Sequence, residues 1–189
     1  MYRLAKLNSD SIHGQYDPPT EYHIWTKDQY RSFIDTFDEN DKYRPLFQWM
    51  FFSGARIGET CALQWKDYDS ENKKIWITKT ASNRLSVGKA VITNTKTKAG
   101  TRYVYLSEEM NERFLELREV FGKDPEKYLF FGYESPIGYN SILQKFKNHT
   151  IKAGLPKLKI HEIRHTNNTW LLNDNQSRED VDIITRRLG

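Results

Sequence analysis

"KIHEIRHTNNTW", residues 159–170, can be read in two ways. His161, Glu162 and His165 spell H-E-x-x-H, in which two imidazoles one helical turn apart bind zinc and the glutamate deprotonates the metal-bound water. His161 and Arg164 spell H-x-x-R, which puts both side chains on one helix face. There the planar guanidinium fork matches two phosphate oxygens, and the imidazole moves a proton near neutral pH. Either way the segment predicts a helix from about His161 to Leu172, and the rest of the chain has to choose its chemistry.

The zinc reading lacks a third ligand. One form of that site wants G-x-x-H directly after His165, where the sequence gives "TNNTWLLND". The other draws on a later acid, but Glu179 lies 14 residues on, behind an apparent helix break. Arg164 beside the imidazoles would also repel a dication. The single cysteine, Cys61, excludes an internal disulfide framework and a cysteine-rich metal site. The expectation is therefore no metal.

Charge favours a phosphate. Residues 72–107 hold eight Lys or Arg and no acid, and residues 135–161 hold five Lys and no acid. The remaining residues carry 16 basic against 25 acidic side chains, so a net charge of only +4 conceals a two-faced molecule. Such segregation builds a surface for a polyanion. Aromatic residues at 14% favour a packed body over disorder. No apolar run approaches the roughly 20 residues that span a bilayer, and the first residues carry no signal-peptide core. The expectation is a cytoplasmic protein with a surface for a polyanion.

Along the chain, residues 1–24, with Pro18-Pro19, read as a linker or arm. "WTKDQYRSFIDTF" reads as a helix capped by Thr26, with Tyr30, Phe33, Ile34 and Phe37 on one face. "YRPLFQWMFFSG" reads as a buried helix with Pro45 near its start and Gly54 past its end, and "RIGETCALQW" returns to helix. "KKIWITKT" (73–80), "KAVITNTK" (89–96) and "TRYVYL" (101–106) predict a three-stranded antiparallel meander. Ser107 caps a helix striped by Met110, Phe114, Leu117 and Phe121 and stopped by Gly122. "YNSILQKFKNHTIKAG" predicts a helix with Ile142, Phe146 and Ala153 inward and Lys145, Lys147 and Lys152 outward. A last helix over "SREDVDIITRRLG" groups Val181, Ile184 and Leu188. The fold class is mainly α with a small three-stranded antiparallel β-sheet.

Two further segments give H-x-x-R its weight. In "FFSGARIGE" a buried helix ends at Gly54 and Arg56 stands at the next helix start, where Glu59, one turn on, can hold it. In "TNTKTKAGTRYVYL" Lys96 and Lys98 sit beside Gly100 at a hairpin tip, within reach of a groove.

Taken in order, "SGARIGE" (53–59), "TKTKAGTRYVYL" (95–106), "HEIRHT" (161–166) and "RRLG" (186–189) resemble the catalytic domain of the tyrosine recombinase (phage integrase) family. The resemblance covers residues 25–189 and implies that family's DNA breaking-rejoining architecture. It implies a site-specific recombinase that cleaves and rejoins double-stranded DNA through a 3′-phosphotyrosyl link without a cofactor or metal. By position, Arg56 and Arg164 would clamp the phosphate, His161 would transfer a proton, and Lys98, with Lys96 the alternative, would protonate the leaving oxygen. Glu59 and His165 would support them, and Arg84, Lys89, Lys145, Lys147 and Lys152 would line the DNA. The resemblance further implies a higher-order homo-oligomer on DNA in the full-length protein and allows for an accessory DNA-bending partner. The family's nucleophilic tyrosine follows the place of Gly189, and no tyrosine here lies after Tyr139. The rival expectations are a DNA-binding protein of the same fold without catalysis, and the zinc hydrolase.

Overall fold

Thr26 opens helix α1 (Lys27–Ile34) with a reciprocal cap: its hydroxyl accepts from the Gln29 N–H at 3.2 Å, and the Gln29 side chain accepts from the Thr26 N–H at 2.9 Å. Such a cap contributes about 1 kcal/mol. The computed structural model describes residues 23–82, 91–95 and 100–174. Residues 1–22 of the expected arm over 1–24, and the expected last helix, lie outside these.

Helix α2 (Arg44–Ser53) has Pro45 in its first turn, where the missing N–H costs no intrahelical bond. It ends at Gly54 in the left-handed conformation, φ 61°. Helices α4 (Glu108–Phe121), α5 (Tyr139–Lys152) and α6 (Glu162–Asp174) follow later in the chain. Ser107 caps α4 by accepting from the Met110 N–H, as expected. The aromatic periodicity of α1 and α5 meets in one cluster, with Phe33 packing at 5.3 Å on each of Trp25, Phe47 and Phe146. Trp25 also locks α6 in place: its carbonyl accepts from Trp170 Nε1 at 2.9 Å, and its own Nε1 donates to the Pro156 carbonyl at 3.1 Å. A second cluster around Phe114 joins α4 to Trp49, Tyr68 and Phe130.

The β-structure corrects the expected meander. The three-stranded antiparallel sheet consists of β1 (Tyr68–Asp69), β2 (Lys74–Ile77) and β5 (Arg102–Tyr105) in the order β1-β2-β5. The middle run instead contributes β4 (Val91–Asn94), which pairs with β3 (Lys79–Ser82) in a separate two-stranded sheet. "KKIWITKTAS" is thus two strands with a handover at Thr78, whose carbonyl still accepts from Thr95 N–H at 2.9 Å. The handover lets Ile75 and Ile77 face the core while β3 leans onto α3 (Ile57–Ala62). Gly58 permits that approach: a Cβ there would lie 2.5 Å from Thr80 Oγ1 and 2.8 Å from the Ala81 carbonyl oxygen.

Helix α3 is also shorter than "RIGETCALQW" predicts. It stops at Ala62, and Leu63 turns extended so that its carbonyl accepts from Leu129 N–H at 3.0 Å. The Trp65 N–H then donates to the Lys127 carbonyl at 3.1 Å, within a short 3-10 turn over Trp65–Asp67. Docking the apolar "YLFFG" strip outcompetes the helical propensity of "ALQW".

Candidate active site

The turn between α2 and α3 and the first two turns of α6 build the site. Arg56 stands one residue before α3 and is about half exposed, whereas Glu59, three residues on, is buried. The Glu59 carboxylate accepts from the Arg56 backbone N–H at 2.9 Å and from Arg56 Nη1 at 2.8 Å. Its Oε2 also accepts from Arg102 Nη2 at 2.9 Å. Burial alone would raise the Glu59 pKa. The hydrogen bond and charge of Arg102, followed by the backbone and side chain of Arg56, reverse this and hold the carboxyl below its usual range.

Arg164 reaches the same turn from α6. Its Nη1 donates to the Gly54 carbonyl at 3.1 Å, two residues before Arg56. Burial and then the charges of Arg56 and Arg102, opposed by Glu59, bring its pKa down to about 10. Three guanidinium groups therefore press on one another around one carboxylate, an arrangement that a bound anion relieves. Asn167 fixes the approach of α6: its Nδ2 donates to the Phe51 and Phe52 carbonyls at 2.7 and 3.0 Å.

His161 is exposed just ahead of α6 and lies close enough to His165 that its charge, after burial, lowers the His165 pKa. Glu162, the second letter of H-E-x-x-H, is buried, and its carboxylate accepts from the Lys159 N–H at 2.7 Å. The residue is thus engaged in capping its own helix. Among the described residues no group of three His, Cys, Asp or Glu is placed to hold a metal ion.

The expected DNA-lining residues separate. Lys147 borders a groove of about 580 Å³ together with Lys157, Lys159 and His161. Lys152 is exposed and donates to the Thr36 carbonyl at 2.8 Å. Lys145 pairs with Asp41 at 3.1 Å and lies over the Tyr43 ring. The fold brings acids to other lysines of the acid-free stretches as well, with Lys79 on Asp67 at 3.0 Å, Lys74 on Asp69 at 3.5 Å and Lys73 on Glu108. Lys96, Lys98, Arg84 and Lys89 lie outside the described residues.

The motifs alone give Arg102 no role. Strand alternation held the signal. Arg102 shares the inward face of β5 with Val104, and an inward arginine in a strand without acids needs a buried acid from another element.

The sequence pattern of the Phage integrase family matches residues 24–189. The ICEBs1 integrase of Bacillus subtilis is 26% identical over 176 residues, which is 88% of this chain and 46% of that protein. A XerC-like tyrosine recombinase of Caldanaerobacter subterraneus is 29% identical over 150 residues, 69% of this chain and 38% of that protein. The chain spans about half the length of the curated relatives it matches. Among solved structures, the Tn1549 transposon integrase bound to transposon right end DNA superposes with a TM-score of 0.69 at 24% identity, covering 90% of this chain and 60% of that one. The lambda integrase (residues 75–356) bound to DNA gives 0.61 at 14% identity, covering 92% and 57%. Both likenesses are of fold, and that fold is mostly helical with small antiparallel sheets.

Proposed function

From the premise that the chain belongs to the phage integrase family, we propose that it is the catalytic part of a site-specific DNA recombinase. The observation that carries the reading is the meeting of Arg56 and Arg164 at one turn, over a buried glutamate that holds the first of them. Two arginines on one phosphate neutralise its non-bridging oxygens as charge builds in the transition state. A tyrosine, which the family carries after the position of Gly189, attacks phosphorus. Its O–P bond forms as the bond to the 5′-oxygen breaks, His161 takes the phenolic proton, and Lys98, or Lys96 in its place, gives a proton to the departing 5′-oxygen. The phosphotyrosyl link keeps the bond energy, so rejoining needs no external energy source and no cofactor. Glu59 and His165 support this set. Lys147 and Lys152, with Arg84 and Lys89, contact the duplex backbone, and the full-length protein works as an oligomer on double-stranded DNA.

The test is a nicked suicide duplex given to the full-length protein. A covalent adduct that disappears in Arg164→Ala is the expected result. Salt-sensitive DNA binding without any adduct would instead favour a DNA-binding protein of the same fold.

A further inference from the structure

Two arginines share the Glu59 carboxylate, and they differ in what else they can do. The side chain of Arg56 is 54% exposed, that of Arg102 only 4%, and that of Glu59 only 2%. Arg102 spends Nη2 on Glu59 and Nη1 on the Gly100 carbonyl at 3.1 Å, and its Nε is buried without an acceptor among the described residues. No phosphate reaches a guanidinium so enclosed. Arg102 therefore acts through Glu59.

We propose that Arg102 is a positioning residue for strand transfer: it shares the negative charge of Glu59 so that the outer guanidinium of Arg56 is held in place yet remains available to the scissile phosphate. This rests on the recombinase reading above. Arg56, Arg102, Arg164 and Glu59 together carry a net charge of two positive units, which suits a phosphoryl group gaining negative charge on its non-bridging oxygens. Without Arg102 the cluster carries one unit. Glu59 is then left to Arg56 and draws that guanidinium inward, away from its exposed position. A buried carboxylate that loses one of two cations binds the remaining one more tightly.

The experiment measures single-turnover cleavage of a suicide duplex by the full-length protein, beside DNA affinity and thermal melting. Arg102→Met should lower the cleavage rate by about 10²-fold, the scale of a misplaced catalytic group, while DNA affinity changes less than threefold. Adding Glu59→Gln removes the carboxylate that captures Arg56, so the double variant should cleave at least tenfold faster than Arg102→Met. The pH profile gives an independent signature. In Arg102→Met, protonating Glu59 releases Arg56, so the ratio of its rate to the wild-type rate should climb as pH falls toward the carboxylate range, the loss of the His161 base being common to both; a purely structural role does not produce this. If Arg102→Met melts below the assay temperature, Arg102→Lys, which keeps the charge but not the fork, is measured instead and should lose less than tenfold. An active wild type with Arg102→Met within twofold of it, or a double variant no faster than the single one, overturns the role of Arg102. A wild type that forms no adduct overturns the recombinase reading itself.

Discussion

Arg164 Nη1 donates to the carbonyl oxygen of Gly54 at 3.1 Å, and Gly54 is the left-handed residue that ends α2. The same turn delivers Arg56 two residues later, so both arginines proposed to clamp the phosphate take their positions from one piece of backbone. Asn167, one turn beyond Arg164, binds that backbone a second time through Phe51 and Phe52.

Asn167→Ala should therefore affect both stability and the site. Removing the buried amide breaks its hydrogen bonds to the Phe51 and Phe52 carbonyls, at a cost of about 1–3 kcal/mol. Urea denaturation measures the loss. Suicide-duplex cleavage should fall by more than the unfolded fraction accounts for, because α6 carries Arg164. A variant with wild-type stability would contradict the anchoring role of Asn167.

Gly58→Ala tests the close packing of α3 on β3. The new methyl meets Thr80 Oγ1 at 2.5 Å and the Ala81 carbonyl at 2.8 Å, and backbone on that side cannot move without shifting the two-stranded sheet. Overpacking of this kind costs about 1–3 kcal/mol. The melting temperature should fall, and amide exchange in β3 should rise more than in α1. Unchanged exchange in β3 would mean that the contact is slack.

Much of this arrangement was legible in the residues. The caps at Thr26 and Ser107, the stop at Gly54 and the aromatic stripes of α1 and α4 depend on short-range chemistry, and each stands where the spacing puts it. The arginine of "SGARIGE" and the helix of "HEIRHT" were equally visible. What the sequence did not reveal were partnerships set by distant segments. "KKIWITKTAS" is uniformly strand-like, so nothing local marks Thr78 as the handover between two sheets. Lys145 and Lys147 both read as outward, but only the folded chain shows that Asp41 meets the first. The pairing of Glu59 with Arg102 spans 43 residues of sequence and depends on where β5 packs.

The difference between these lysines is testable by binding. Lys147, Lys157 and Lys159 border one groove with His161. Replacing each by Ala should weaken duplex binding for all sequences alike, and each lost phosphate contact should reduce the salt slope by about 0.9. Lys145→Ala should leave that slope unchanged and lower the melting temperature slightly, since its ion pair and ring contact lie with Asp41 and Tyr43. Fluorescence anisotropy over a salt series measures both. A reduced slope in Lys145→Ala would put the DNA on the other side of α5.

His149 should make the seam between α1 and α5 sensitive to mild acid. Its ring stacks on Phe37 at 3.6 Å, and its Nδ1 lies 2.8 Å from Thr36 Oγ1, which donates its own proton to the Phe33 carbonyl. Nδ1 is therefore the donor, and protonation would take place at Nε2. Burial comes first, then the charges of Lys145 and Lys152; against the opposing pull of Asp41 and Asp38 they lower the pKa from its ordinary 6.5. A depressed histidine pKa means that the unfolded chain takes up the proton first as pH falls. The stabilisation is thus complete above about pH 6.5 and declines as pH falls through the lowered folded value. His165, lowered by burial and by His161 and Arg164, acts in the same direction. Melting temperatures between pH 7 and pH 5, above the main carboxylate range, should fall for the wild type. His149→Phe, which keeps the stack on Phe37, should flatten that slope and leave only the share of His165. An unaltered slope would show that the seam does not disfavour the charged ring.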